Sequence, residues 1–165
     1  MTGVQTCALP ICDTLEMVER PSGGLSIVLA DGQRSGKPAK AISNVVTRKA
    51  LSLLADGVRD GAAARAASDY LFTYRSGQVI ATLNILSIDT QSQTLVIVRN
   101  NPSPVILVAS GELKMLDAPS EAVGSRKGIR PSIHEIELQE FLWTDRKSTR
   151  LNSSHSSVSR MPSSA

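Results

Sequence analysis

The chain has 165 residues, of which 41% are hydrophobic and 20% charged. That is enough apolar material for one ordinary domain with its own core, and no apolar run approaches the ~20 residues that span a bilayer. The formal net charge of +3 would invite a nucleic-acid partner, but its distribution along the chain argues against both nucleic acid and membrane, as the ends show.

Residues 1–12, MTGVQTCALPIC, have no apolar period, no basic start and too short an apolar stretch for a secretory leader. Residues 24–30, GLSIVLA, form a short run rich in Ile, Val and Leu that reads as a buried strand, closing on Asp31-Gly32. A loop, GQRSGKP, leads to a helix from Pro38, with Ala41, Ile42, Val45, Val46, Ala50, Leu53 and Leu54 at three- and four-residue spacing and Gly57 as its end. A second helix is expected over 61–74, with Asp60 as its cap and Gly77 as its stop. From there the period turns to strands. They are expected at 79–88 and 94–99 as a hairpin, at 105–109 and 113–116, then, after a Pro- and Gly-bearing loop over 117–132, at 133–138 and 141–144. A strand, two helices, then consecutive strands imply an α+β fold with largely antiparallel sheet.

The last residues carry no period. DRKSTRLNSSH (145–155) and TGVQTCALPI (2–11) are translations of the two strands of one oligonucleotide, with Met1 an initiating GTG, and the string resembles a sequencing-library adapter. We therefore expect 1–12 and 145–165 to be adapter-derived, the tail to be disordered, and 13–144 to be the native segment. Of the 18 basic and 15 acidic residues, Arg146, Lys147, Arg150, Arg160 and Asp145 lie in that tail, which leaves 14 of each. The native segment is neutral. Cys7 and Cys12 fall in or at the head, so the cysteines speak neither for disulfides nor for thiol chemistry.

Asp31 is the residue with the most chemistry. A carboxylate emerging at the end of a buried strand suits a hard divalent cation, and Gly32 lets backbone approach closely. A hairpin turn is the bland reading of Asp-Gly, but a helix follows, not a strand. GQRSGKP falls one residue short of a phosphate loop and has Pro38 where the hydroxyl belongs. His134 reads as a solvent-facing strand residue bracketed by Ile133 and Ile136. Arg126, Lys127 and Arg130 read as a solvated loop ahead of a phosphoprotein docking site.

The order of elements around Asp13-Thr-Leu-Glu, Ala30-Asp31-Gly32-Gln-Arg-Ser-Gly36 and Trp143-Thr144-Asp145 resembles the PPM-type metal-dependent serine/threonine phosphatases, nearest the branch of stage II sporulation protein E. The resemblance implies an incomplete α/β/β/α sandwich. It also implies two Mn²⁺ or Mg²⁺ ions held by Asp13, Asp31, the Gly32 carbonyl and Asp145. The implied activity is metal-assisted hydrolysis of phosphoserine or phosphothreonine, with water activated at the ions and no side-chain nucleophile. The implied substrate is a cytoplasmic bacterial phosphoprotein such as an anti-anti-sigma factor. Three departures stand against that pattern: Cys12 replaces a glycine before Asp13, Arg34 replaces the loop's second glycine, and Arg146 follows Asp145. They favour an inactive fragment of an active parent, with a non-catalytic pseudophosphatase or protein-binding module as the alternative.

Overall fold

A computed structural model describes residues 13–109 and 112–138. Residues 1–12 and 145–165, expected to be adapter-derived, and the strand expected at 141–144 lie outside the described residues, and Asp145 with them. The elements are β1 (Asp13–Glu19), β2 (Leu25–Gly32), α1 (Gly36–Ala55), α2 (Asp60–Arg75), β3 (Ala81–Asp89), β4 (Thr94–Asn100), β5 (Val105–Ala109), β6 (Glu112–Leu116) and β7 (Ser132–Glu137). Five strands form one sheet in the order β1-β2-β3-β4-β7, each pair antiparallel, and β5–β6 form a separate hairpin. The α+β class expected from the sequence is the class observed.

The core lies between the five-stranded sheet and the two helices. Strand alternation sends Ser26, Val28 and Ala30 of β2 and Leu83, Ile85 and Ser87 of β3 to the helix side, where all are buried. The α1 residues that meet them are Ala39, Ile42, Ser43, Val46, Thr47, Ala50 and Leu54. Ala41, expected in that stripe, is exposed, because the buried face is centred on Ser43, Thr47 and Ala50, small residues that admit close approach. α2 contributes Ala63, Ala64, Ala67, Ser68 and Leu71, again mostly small. Each large side chain buried here, such as Leu54, Leu71 or Ile85, contributes about 1.5–3 kcal/mol.

Two further local expectations change. Asp60 is the first residue of α2, and Arg59, with extended backbone, is its N-cap. The Asp60 carboxylate is turned to Arg20 instead, with Oδ1 and Oδ2 2.9 and 2.8 Å from one guanidinium nitrogen. Ile133 and His134 lie on opposite faces of β7. His134, opposite Ile97, is half-buried and 3.1 Å from the Ser132 hydroxyl, so it is not fully solvent-facing. β1 has no period that announces it, since Thr14 is its one buried side chain.

The sheet's other face carries Leu15, Met17 and Leu29, at 59%, 61% and 36% exposure. One helical layer, one full sheet and a two-stranded piece of a second make an incomplete α/β/β/α arrangement. The hairpin's base is tied to the main sheet by Arg99, 1% exposed, whose guanidinium donates to the Ser103 carbonyl at 2.7 Å and to the Ala118 carbonyl. Asn100 adds a bond to the Glu121 carbonyl at 3.0 Å. The segment after β6 is strapped to α2 by Gly124 N–H donating to Ser68 Oγ at 3.0 Å and Gly128 N–H donating to Asp69 Oδ1 at 2.8 Å.

Candidate metal centre

Register decides the site. Asp13 and Asp31 are direct cross-strand partners at one end of the β1–β2 ladder, and directly opposed residues project to the same face. That face is fixed from below. Thr14 is turned toward the helices, where its hydroxyl lies 2.8 Å from Ser43 Oγ and 2.7 Å from Asn44 Oδ1. Its neighbour Asp13 therefore points to the opposite side. In β2, buried Ala30 and Gly32 do the same for Asp31 between them. Lys40 of α1 donates to the Asp13 backbone carbonyl and holds the end of β1 down.

The two carboxyl groups interact directly. Asp31 is raised above the ordinary carboxylate value, first by partial desolvation at the sheet end, then by its hydrogen bond to Asp13 and by that group's charge. Asp31 is open to solvent as a residue, so the nearness of Asp13 is the cause with chemical meaning. Two carboxylates held together repel when both ionise. A hard divalent cation removes that repulsion and takes oxygen donors of this kind. The pair fits Mg²⁺ or Mn²⁺.

Gly32 has a packing reason of its own. A Cβ built there would stand 2.2 Å from the Ala39 carbonyl oxygen, so only glycine lets the first turn of α1 pass this close. Arg34, two residues on, has φ +82°, a backbone region that favours glycine and costs other residues about 1–2 kcal/mol. The loop thus keeps a glycine-like conformation under an arginine side chain. Ser35, extended at φ −134°, then opens α1 without a side-chain cap.

The structure brings Asp13, Asp31 and Gly32 together. Asp145 lies outside the described residues. Among the described residues no third His, Cys, Asp or Glu joins the pair in a metal-binding group. Nor does any helix there have the length and apolarity to cross a membrane.

Comparison with known proteins places this geometry. No protein-family model and no curated protein sequence matches the chain significantly, but solved structures do. The PP2C phosphatase domain with a fragment of the regulatory domain of SpoIIE from Bacillus subtilis superposes with TM-score 0.68 at 18% identity, covering 79% of this chain and 39% of that one. RsbX in complex with magnesium gives TM-score 0.62 at 18% identity over 76% of this chain and 60% of that one. The serine/threonine phosphatase Stp1 from Staphylococcus aureus gives 0.65 at 13% identity over 86% and 70%. The chain has, in part, the fold of the PP2C-type serine/threonine phosphatases, and the SpoIIE domain is among the structures that share it. It spans 39% of the SpoIIE chain and 60% of the RsbX chain.

Proposed function

We propose that residues 13–144 belong to a divalent-metal-dependent protein serine/threonine phosphatase of the SpoIIE-like branch, and that Asp13, Asp31 and the Gly32 carbonyl contribute to holding its Mn²⁺ or Mg²⁺ ions, with an aspartate of the parent protein, at the position where this chain has Asp145, as the further ligand. The observation that carries this is the Asp13–Asp31 cross-strand pair, two like charges brought together at the end of a ladder on a phosphatase fold. Bound ions of this kind supply an activated water and neutralise charge on a phosphoryl group. The chain's own part is to hold two carboxylates at fixed separation on paired strands, and to keep α1 close through Gly32. The magnesium in the RsbX structure supports a divalent ion here. The substrate we infer is a cytoplasmic phosphoprotein of the anti-anti-sigma type, and the 1–12 and 145–165 segments remain adapter-derived in this reading.

Arg34 favours a second reading. Its guanidinium, two positions after Gly32, places a cation in the loop following the carboxylates, as suits a non-catalytic binding module. One assay separates the two. The longer parent protein and its Asp31→Asn variant are titrated with Mn²⁺ and assayed on an aryl phosphate. The parent turns over and the variant loses activity by at least about 100-fold, since losing a ligand forfeits ions whose charge stabilisation should exceed the ~2.7–4 kcal/mol that a single preorganised hydrogen-bond donor supplies. The 165-residue chain, in which two carboxylates alone converge among the described residues, turns over barely or not at all. An Asp31→Asn parent with full activity rules out the metal assignment, and a parent that binds Mn²⁺ without turnover selects the binding module.

A further inference from the structure

The basic residues adjacent in sequence do not act together in space. Arg126 is consumed by Glu121, with nitrogen–oxygen distances of 2.7 and 2.9 Å, and Lys127 lies over the Phe72 ring. Arg130 instead turns to α2. There it lines, with Arg59 and Arg65, a cleft of about 360 Å³ whose remaining wall includes Ala62, Pro131 and Ile133. Arg59, Arg65 and Arg130 are exposed, and none has an ion pair or side-chain hydrogen bond among the described residues. Acidic groups nearby in sequence or strand do not pair with them: Asp69, one turn of α2 on from Arg65, accepts from the Gly128 amide. Asp60 is committed to Arg20, and Glu135, on the same face of β7 as Ile133, pairs with nothing described.

The cleft is built by packing. Ile133 sits directly on Gly61, where a Cβ would stand 2.5 Å from Ile133 Cδ1, yet Ile133 stays 53% exposed. Three unpaired guanidinia ringing one exposed isoleucine offer complementary charge and an apolar contact to a partner. β7 and β1 are opposite edges of the sheet, four strand spacings or about 19 Å apart. The cleft also opens on the helix side, whereas Asp13 and Asp31 project from the other face. It is a separate place on the molecule.

We propose that this cleft docks an acidic segment of a partner protein, with Arg59, Arg65 and Arg130 pairing its carboxylates and Ile133 and Pro131 covering one apolar side chain among them. Guanidinium forks match carboxylates in paired hydrogen bonds. The apolar wall, and the lack of an aromatic ring among the described lining residues, favour a peptide over single-stranded nucleic acid, which binds by stacking bases on aromatic rings.

The test uses the 165-residue chain and a fluorescein-labelled peptide of one leucine flanked by glutamates, followed by fluorescence anisotropy at low salt. Basic residues elsewhere are common to every variant and cancel in the comparison. Arg65→Glu and Arg130→Glu should each weaken binding about tenfold or more, and replacing the peptide's leucine by serine should weaken it further. Arg126→Glu, outside the cleft, should leave the Kd within about twofold of the unaltered chain. Thermal melts check folding, and Arg65→Gln replaces Arg65→Glu if the reversal unfolds the chain. The proposal is overturned if Arg126→Glu costs as much as Arg65→Glu, which marks a diffuse charge effect. It is equally overturned if an oligonucleotide of the same charge competes as well as the peptide, or if the peptide does not bind.

Discussion

The two ends of the β1–β2 pair have been built for opposite purposes. At one end Asp13 faces Asp31, like charge against like charge. At the other, Arg20, one residue beyond β1, meets Asp60 at 2.8 Å with both side chains nearly buried, 12% and 13% exposed. Arg20 also donates to the Val58 carbonyl at 3.0 Å, and Ser87 donates to the same Asp60 while lying 2.6 Å from Ser26 Oγ. The second end is a satisfied network joining β1, β2, β3 and the start of α2. The first is a pair of like charges whose described side-chain partners are each other. The difference shows where this chain spends stability and where it gains it: one end closes the fold, the other holds charges apart from any internal partner.

That contrast can be broken by mutation, beginning with the end that stabilises. Arg20→Ala should cost about 3 kcal/mol, because it strands a nearly buried Asp60 without its cation. Urea unfolding measures this, and an Arg20→Ala/Asp60→Ala double variant should recover part of the loss. A cost below about 1 kcal/mol would class the pair with ordinary surface bridges and dissolve the comparison. At the Asp13–Asp31 end the effects should reverse sign. Arg34→Gly should stabilise by about 1 kcal/mol, because glycine occupies a φ of +82° without the Cβ clash. A destabilised Arg34→Gly chain would mean that the arginine makes a contact worth more than its backbone strain.

The smallest effect sharpens the comparison most. Asp31 holds its proton more tightly in the folded chain than at its ordinary value of 3.8. Between that value and the raised one the native state binds more protons, so stability falls as pH rises through the interval and stays lowered above it. Asp31→Asn has no charge to lose. In the metal-free chain it should raise the melting temperature slightly near pH ~7, and the gain should vanish in acid below the ordinary value. Equal melting temperatures at both pH values would show that the carboxylates do not repel. The same substitution that removes activity in the parent is thus expected to stabilise the fold.

Much of this was legible in the residues. The apolar run ending at Asp31, the α1 and α2 periods and the β3–β4 hairpin follow from local pattern, since period, turn residues and propensity act within a few positions. So did the likeness of the Asp31 neighbourhood to the phosphatases. Other features were not local. β1 has one buried side chain, Thr14, and exists because β2 offers it an edge and Ser43 and Asn44 offer its hydroxyl two partners. The buried stripe of α1 leaves out Ala41 and takes in Ser43 and Thr47 because the sheet fixes the helical phase, and Ala41 lies about 180° around the helix from buried Ala50. Asp60 read as a cap until a distant Arg20 claimed it.

The sequence by itself determined the α+β class, with a carboxylate at the mouth of a buried strand and helices that need a sheet to cover them. Composition and short-range periodicity suffice for that. The family resemblance already implied that Asp13 and Asp31 meet at one site; tertiary structure decided how they meet and which other charges do. It set Asp13 against Asp31 through antiparallel register, gave Arg20 to Asp60, and took Arg130 from Arg126 and Lys127 to place it beside Arg59 and Arg65. Charges separated by tens of residues have no local signal for one another, and only the packing of strands and helices brings them within range.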